Sequence, residues 1–291
     1  MTALRRWLAD PQRPPRILQA ITAAYLLWSL LPVAIAIMFS FNSGRSRTQW
    51  QGFSFRWYWG DPIRSVWHDD TLRTALTHTL VLGVLATAVT VPLGVAFALG
   101  VDRWRGRLPE GANFVMLVSF VIPETLLAVA LLFLVNEVRT PLELGTSAQV
   151  AGLVTFQLSY PVVIVRARLL TIGKQYEQAA IDLGASPMGA VRRVLLPMLI
   201  PAILVSAVLV FADVIDDFVI VRYLSGDAST EPTSVKIYNT ARAAPTPALN
   251  ALATLMLLAA TVAVVIGLLV YRRLRRGEKG SSSIESFAGG L

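Results

Sequence analysis

Four carboxylic acids lie within long apolar stretches of this sequence: Glu124, Asp213, Asp216 and Asp217. A charged side chain at the centre of a membrane costs on the order of 2.5 to 3.5 kcal/mol, so acids in such places usually serve to hold cations or protons. Helical spacing puts the three aspartates on one face of a helix. We therefore expect the four acids to line a water-accessible path that favours a cationic substrate.

The positions of the aspartates also fit a different role. All three lie toward one end of their apolar stretch, where they can bond to polar groups of a partner subunit or terminate the helix near the outer surface. The sequence leaves both roles open.

A second distinctive stretch is the polar segment YEQAAIDLGASPMGAVRRVLLP, residues 176–197, which we call the elbow. Its pattern predicts a short Ala-rich helix over about 176–183 that ends at Gly184. A second helix follows, with Ser186 as N-cap and Pro187 at the first position. A free helix of roughly eight residues is marginal in water, because even good helix formers need about 12 to 15. We expect the elbow to pack against a partner protein.

Residue types that catalysis or metal binding would need are scarce. The chain has no cysteine, which excludes disulfides, zinc sites with cysteine ligands and thiol catalysis. It has only two histidines, His68 and His78, so we do not expect a histidine-rich metal site. No G-x-x-x-x-G-K-[ST] phosphate loop occurs, and no Ser-His-Asp arrangement is recognisable. We expect a non-catalytic chain that binds no cofactor, so that ATP and Mg²⁺ are bound by partner ATPase subunits.

Composition places these stretches in a membrane protein. Hydrophobic residues make up 55% and charged residues 15% of the chain, and the mean hydropathy is +0.59. Such a chain is too apolar for an ordinary soluble domain. The net charge of +8 can indicate nucleic-acid binding, but excess Lys and Arg in a membrane protein mark cytoplasmic loops. The lipid bilayer is therefore an expected partner, and nucleic acid is not.

The chain contains several long apolar stretches. At ~1.5 Å per residue, each is long enough as a helix to cross roughly 30 Å of hydrocarbon. The first is too long for a signal peptide and lacks a small-residue cleavage site, so we expect it to be uncleaved. The sequence predicts an all-α membrane protein with six transmembrane helices, at about residues 17–41, 73–100, 111–136, 146–165, 198–221 and 248–271. The two halves show no paired broken helices of the kind found in inverted-repeat carriers.

Basic residues predict the orientation, because cytoplasmic loops retain Lys and Arg. Of the 26 such residues, 17 fall in one set of segments, namely 1–16, 101–110, 166–197 and 272–291. Both termini and the elbow are therefore expected in the cytoplasm. We assign residues 1–16 to a cytoplasmic arm, 17–271 to the transmembrane domain and 272–291 to a cytoplasmic tail whose Gly and Ser content predicts disorder.

The segment 42–72 then lies on the outer side. It is polar, with interleaved aromatic residues, a composition typical of the membrane interface. An aromatic belt at the bilayer surface is the expected role, and a contact surface for an external partner is the alternative.

The elbow resembles the EAA loop, a cytoplasmic element of the permease subunits of ATP-binding-cassette (ABC) importers. The match covers Gln178, Ala179 and Ala180 at the E-A-A positions, Gly184 at the glycine, Val194 at the hydrophobic position, and Leu196 with Pro197 at the ending. The sequence departs from the family at Gln178, where Glu is usual, and carries Glu177 one position earlier.

In such importers this helix sits in a cleft of the ATPase subunit and transmits closure of the ATPases to the membrane helices. The resemblance implies that Ala179 and Ala180 allow a close approach to the cleft. It also implies that Glu177, Gln178 and Asp182 bond at its rim. Glu177 is expected to make the contact with the ATPase that the usual Glu makes at the position of Gln178.

The resemblance further implies a type I ABC importer (MetI-like) permease fold with a cytoplasmic coupling helix, located in the bacterial inner membrane. One such subunit forms half of a two-permease pore. The implied partners are a second permease subunit, two ATP-binding-cassette ATPase subunits and an extracytoplasmic substrate-binding protein.

Two further stretches are similar to the polyamine (spermidine/putrescine) branch of these permeases. They are VIDDFVIVRYLSG with PTSVKIYNTARAAPTPALNALATLML, within residues 207–256, and GFSFRWYWGDP with TALTHTL, in which His78 replaces a common Asn. The expected substrate is therefore a small cation such as a polyamine. Thiamine, ferric iron and phosphonate compounds, which the same branch serves, are the alternatives. A proton-coupled secondary carrier is the alternative outside ABC importers.

Overall fold

The structure is a computed structural model that describes residues 16–46, 48–103, 107–138, 142–243 and 246–288. Within these ranges the chain is all-α, as the sequence predicts, apart from an isolated antiparallel bridge between Asn42 and Phe53. The cytoplasmic arm assigned to residues 1–16 lies outside the described residues except for Arg16.

Twelve α-helices occur in the described part of the chain. They are α1 (Arg16–Ser40), α2 (Asp70–Arg103), α3 (Arg107–Val121), α4 (Glu124–Glu137), α5 (Thr146–Gln157), α6 (Ser159–Ile172), α7 (Gln175–Asp182), α8 (Pro187–Ala190), α9 (Leu196–Asp216), α10 (Val219–Tyr223), α11 (Thr233–Ala243) and α12 (Pro247–Ala288). Three short turns complete the described helical structure, the π-helical turns Arg56–Gly60 and Val191–Leu195 and the 3₁₀ turn Ala228–Thr230.

Five stretches among the described residues are long and apolar enough to cross a membrane as continuous helix: α1, α2, α5 with α6, α8 through α9, and the first part of α12. The third predicted span, 111–136, is interrupted instead. Helix α3 ends at Val121, and α4 begins at Glu124 directly after Pro123. Proline has no N–H to donate and clashes with the preceding turn, which explains the break. The described residues therefore contain five continuous candidate spans where the sequence predicts six crossings, and the third predicted span is two shorter helices that are separated at Pro123.

The prediction for the fifth span, 198–221, is wrong at its outer end. Helix α9 stops at Asp216, and Asp217 takes an extended conformation with ψ 136°. Asp217 therefore does not share the helical face of Asp213 and Asp216, contrary to the spacing argument. At this break the Asp217 carboxylate and carbonyl oxygens accept hydrogen bonds from Val221 N and Ser234 Oγ, which lie in the segment that follows.

The centre of the fold is formed by α2, α6 and α9, each of which packs on the other two. Glycines permit these contacts: a side chain at Gly94 of α2 would meet Pro161 of α6, and one at Gly83 of α2 would meet Ile215 of α9. Helix α12 packs on α9, and α1 packs on α12. None of the most apolar stretch of α1 is buried, so its side chains are available to lipid or to another subunit.

The last helix continues to Ala288, so the backbone is helical where Gly and Ser predict a disordered tail. The first part of the tail also contains Arg, Glu and Lys residues, which are good helix formers and explain why α12 continues past Tyr271. Side chains beyond Arg273 lie outside the described part of the structure.

Some aromatic residues of the outer segment have a structural role. Trp57 is fully buried, and its Nε1 donates a hydrogen bond to the Asn42 carbonyl oxygen at 2.6 Å. The Tyr58 hydroxyl lies 2.7 Å from Ser40 Oγ. Trp59 and Trp67 remain largely exposed. The exposed rings are the ones that either a bilayer surface or an external partner can contact.

Asp61 anchors this outer segment. Its carboxylate accepts two hydrogen bonds from the Arg56 guanidinium, at 3.0 and 2.8 Å, and two more from the backbone N–H groups of Ile63 and Arg64. The hydrogen bonds from Arg56 are the main reason why the pKa of Asp61 is lowered from 3.8 to about 2. A lowered folded-state pKa stabilises the protein above pH 3.8, and this stabilisation is lost as the pH falls toward about 2.

We expect Asp61→Asn to reduce the free energy of unfolding at neutral pH by roughly 1 kcal/mol, because water partly screens the ion pair. The Arg56 side chain is 36% exposed. The difference between variant and wild type should shrink as the pH falls, since a protonated Asp61 resembles Asn. Thermal unfolding in detergent at several pH values measures this difference. Asp70→Asn, which removes a more exposed pair with Arg73, is the matched control. A deficit of Asp61→Asn that stays constant into acid would contradict the assignment.

Candidate functional site

The elbow folds as its local signals predict. Helix α7 ends in a Schellman motif, in which Ala185 N donates to the Ala180 carbonyl at 3.0 Å and Gly184 N donates to the Ile181 carbonyl at 2.8 Å. Gly184 has φ +90°, a conformation that residues with a side chain rarely adopt. The chain therefore reverses toward the membrane at this glycine.

The second half of the elbow leads without interruption into α9. Ser186 is the N-cap of α8, and its Oγ accepts a hydrogen bond from Gly189 N at 3.1 Å. Pro187 occupies the first helical position. Helix α8 continues through the π-helical turn into α9, which begins with Leu196 and Pro197. The second half of the elbow and α9 therefore form one continuous helical segment.

The elbow presents an exposed surface to its surroundings, and no residue of α7 is buried. Its large exposed apolar side chains are Tyr176, Ile181, Leu183 and Met188, of which Leu183 is 90% exposed. Gln178, Ala179 and Asp182 are among its smaller or polar exposed residues, whereas Ala180 is half-buried. Clustered apolar side chains with polar neighbours are typical of a docking site for another protein.

Glu177 does not lie free at the rim of this surface. Its carboxylate pairs with the guanidinium of Arg103, the last residue of α2. Arg103 Nη1 also lies 2.5 Å from Asp102 Oδ2. The side chains of Glu177 and Asp102 are only 13% and 17% exposed. The structure therefore engages Glu177 within the chain, where it ties α7 to α2. The contact with an ATPase that the sequence assigns to Glu177 stays a prediction.

Two of the aspartates are held by hydrogen bonds within the chain. Asp213 Oδ2 accepts a hydrogen bond from Gln157 Nε2 at 2.5 Å. Asp217 is 9% exposed, and its Oδ1 accepts from Val221 N at 3.1 Å, which caps α10. The carbonyl oxygen of Asp217 accepts from Ser234 Oγ at 2.6 Å. Asp217 therefore fits the role of terminating the helix.

The remaining two acids complete the group. Glu124 is the first residue of α4, and α4 packs on α10, the short helix that follows Asp217. Asp216 is exposed, and together with Asp213 it lies on the wall of a cavity of about 640 Å³ between α9 and α12. Asp213 and Asp216 are therefore the acids that a solute can reach from this cavity.

A buried glutamine connects elements of the fold that are distant in the sequence. Gln149 is fully buried, and its Nε2 lies within hydrogen-bonding distance of the Val221 carbonyl, Ser225 Oγ and the Thr230 carbonyl, at 3.1, 3.0 and 2.9 Å. Its Oε1 lies 2.8 Å from His78 Nε2. Because an amide oxygen only accepts, His78 Nε2 carries the proton. One amide thus joins α2, α5, α10 and the segment after it. Sequence reasoning missed Gln149, although a glutamine inside an apolar span is a detectable signal.

Comparison with known proteins identifies relatives over most of the chain. Residues 90–278 match the family described as binding-protein-dependent transport system inner membrane component. The spermidine/putrescine transport system permease protein PotC of Escherichia coli (strain K12) is 31% identical over 260 residues, covering 89% of this chain and 95% of that protein. The putrescine transport system permease protein PotI of the same organism is 31% identical over 253 residues, covering 85% and 87%.

Solved structures share the fold. A bacterial ABC transporter involved in the import of the acidic polysaccharide alginate superposes with a TM-score of 0.69 at 17% identity, covering 93% of this chain and 99% of the other. The inward-facing MetNI methionine ABC transporter gives 0.57 at 18% identity, covering 69% and 93%. With the family match extending over more than half of its length, this chain belongs to the binding-protein-dependent transport system inner membrane components, the permease subunits of ABC importers.

Proposed function

We propose that this permease subunit forms half of the translocation path of an ATP-driven importer for a small organic cation of the polyamine class. The observation that carries the proposal is the elbow, a preformed docking helix on a chain without a phosphate loop, in a family whose curated relatives include a spermidine/putrescine and a putrescine permease protein. The chain is a pore subunit and not an enzyme.

The assembly contains a second permease subunit, two ATPase subunits that bind ATP and Mg²⁺, and an extracytoplasmic substrate-binding protein. The excess of basic residues on one side supports cytoplasmic positions for both termini and for the elbow. The ATPases bind the exposed elbow surface, with Ala179 at the closest approach and Gln178 and Asp182 at the rim.

Two connections within the chain carry the motion. Closure of the ATPases on ATP displaces α7, which pulls on α9 through the continuous helix from α8 and on α2 through the Glu177–Arg103 pair. Both α9 and α2 belong to the central group of helices. The bundle therefore changes between inward-open and outward-open states as its core helices tilt.

The acids Glu124, Asp213, Asp216 and Asp217 give the path its preference for cations. Asp213 and Asp216 line the cavity beside α9, where a positive charge gains more from a carboxylate than it does in bulk water. Selection among cations rests largely with the substrate-binding protein.

Leu183→Asp tests the docking surface. We expect this variant to lose its ATPase subunits on co-purification and to lose ATP-driven uptake of radiolabelled putrescine in proteoliposomes, because it places a charge at the most exposed apolar position of the elbow. Ile63→Asp, an equivalent change at an exposed position of the outer segment, is expected to keep both. Retention of the ATPases by Leu183→Asp, or uptake driven by a proton gradient without ATP, would overturn the proposal.

A further inference from the structure

An arginine near the end of α6 lacks a partner within the chain. Arg168 lies about one turn before the last residue of α6. Its Nε atom is buried without a hydrogen-bond partner, and no ion pair of Arg168 occurs among the described residues. Arg166, two positions earlier, instead donates a hydrogen bond to Asn113 Oδ1. Because a buried donor without an acceptor costs about 1 to 3 kcal/mol, Arg168 is a candidate group for binding a ligand.

Arg168 lines a cavity between three transmembrane helices. The cavity has a volume of about 500 Å³ and lies where α6, the first part of α9 and the end of the apolar part of α12 come together. Among the described residues, its apolar lining residues are Ile164, Ala167, Pro201, Ala202 and Val205. Thr171 and Tyr271 line it as well. The Thr171 hydroxyl already donates to the Ala167 carbonyl at 3.0 Å. Arg168 therefore supplies the charge of this cavity and an unused N–H donor.

The surroundings of the cavity are basic. Helix α6 carries two arginines and no acidic residue, and Arg272 and Arg273 directly follow Tyr271 on α12. The acid of α9 nearest to Pro201 in the sequence is Asp213, 12 positions later, or about 18 Å along the helix. The described lining residues thus include a cation and no carboxylate. Such a cavity is suited to an anionic ligand.

The position of the cavity favours a membrane phosphate over an anion from solution. Two of the candidate spans that line it end at Ile172 and Arg273, so the cavity lies near the depth at which hydrocarbon meets the lipid head groups. Val205 at its wall is 48% exposed, and apolar surface of this kind suits acyl chains better than water. Arginine donates in a planar fork that matches a phosphate group. Basic pockets between transmembrane helices on the cytoplasmic side are typical sites for anionic lipid head groups.

We propose that Arg168 binds the phosphate group of an anionic phospholipid in the cavity between α6, α9 and α12. The phosphate accepts hydrogen bonds from the guanidinium, and the apolar walls contact the first methylene groups of the lipid. The excess of basic residues on the side of the elbow supports a lipid of the cytoplasmic leaflet. The site goes beyond the proposed function, because this lipid stays bound and is not the transported solute. The lipid connects α6 with α12, which both pack on α9.

Native mass spectrometry of the assembled transporter tests the site. The complex is reconstituted in vesicles of equal parts phosphatidylcholine and phosphatidylglycerol, and it is then released under conditions that remove loosely held lipid. We expect phosphatidylglycerol to remain bound in preference to phosphatidylcholine, whose head group carries a compensating positive charge. An excess of inorganic phosphate should not displace the lipid, because its methylene groups also gain from contact with the apolar walls.

Two pairs of variants locate the bound lipid. Arg168→Gln removes the charge, and we expect the ratio of bound to unbound phosphatidylglycerol to fall about tenfold, the effect of losing a hydrogen bond to a charged group. Arg272→Gln removes the same charge from an exposed position that does not line the cavity and should keep the lipid. Ala167→Phe fills the cavity from an exposed position of its wall and should lose the lipid although Arg168 is present. Leu170→Phe, on the same helix and 77% exposed, is the control and should keep it.

The outcomes separate the lipid from other ligands of Arg168. A wild-type complex that shows no preference for phosphatidylglycerol, as expected if a carboxylate of another subunit binds Arg168, would overturn the site. Displacement of the lipid by inorganic phosphate would indicate a site for a soluble anion and would overturn it too. Unchanged retention by Arg168→Gln would have the same meaning, and if that variant does not assemble, Ala167→Phe and its control decide. None of these measurements uses uptake, so they are independent of the proposed substrate.

Discussion

Replacing Arg103 with glutamate is expected to reduce the number of solute molecules transported per ATP hydrolysed by about tenfold. A tenfold change corresponds to a loss of about 1.4 kcal/mol in the free energy that couples ATP hydrolysis to transport. The substitution places a third carboxylate beside Asp102 and Glu177, so that α7 is repelled from the end of α2 to which it is now paired. The exposed surface of the elbow is unchanged, so the ATPases should still bind and hydrolyse ATP. Parallel measurement of putrescine uptake and phosphate release in proteoliposomes gives the ratio.

The double variant Arg103→Glu with Glu177→Arg is the matched control. It reverses the pair, and we expect it to recover most of the lost transport, because opposite charges again face each other. Arg103→Gln, which removes the attraction without adding repulsion, should give an intermediate ratio. A normal ratio in the single variant, or no recovery in the double variant, would show that α7 and α2 are not coupled through this pair.

Gly94→Ala is expected to destabilise the fold by about 1 to 3 kcal/mol, the usual cost of overpacking a close contact. A β-carbon at this position would lie 2.8 Å from Pro161 Cβ and still closer to its Cγ. The proline ring is tied to the backbone of α6 and cannot rotate away. The contact that must open is the one between α2 and α6, two of the three central helices. The midpoint of thermal unfolding of the purified chain in detergent measures the effect.

Gly100→Ala is the matched control on the same helix. A β-carbon at Gly100 meets no atom within 4 Å, and alanine is preferred over glycine inside a helix by roughly 0.5 to 1 kcal/mol. We expect this variant to unfold at the wild-type temperature or slightly above it. Equal midpoints for Gly94→Ala and Gly100→Ala would refute the close contact between α2 and α6.

The elbow was predictable because its signals are local. Gly184, Ser186 and Pro187 act through their own backbone conformations and nearest neighbours, so the turn, the cap and the second helix follow from residue type alone. Five of the six predicted spans were predictable for a similar reason, since each needs only a sufficiently long apolar run.

The helix breaks were harder to predict. Pro123 was visible in its span, but proline is tolerated inside many membrane helices, so its presence alone does not predict an interruption. The end of α9 at Asp216 lies within an apolar run that continues to Val221 in the sequence. The break depends on a hydrogen bond from Ser234, 17 positions after Asp217, and periodicity contains no information about such a contact.

The candidate site shows the same limit. The acids were identified from their improbable location in apolar stretches, whereas the partners that decide their roles are distant in sequence. Gln157 lies 56 positions from Asp213, and Arg103 lies 74 positions from Glu177. Sequence alone therefore placed Glu177 at the surface of the elbow, while the fold uses it to join two helices.

Helix α2 is bound to other helices near both of its ends. The helix has 34 residues and is about 50 Å long at ~1.5 Å per residue. His78 near its beginning binds Gln149, and Arg103 at its end pairs with Glu177. Because Gln149 also binds α10 and the segment after it, α2 connects these elements with α7, which is paired with Arg103. We therefore expect a tilt of α2 at Arg103 to displace α10 and the segment after it whether or not a solute is bound.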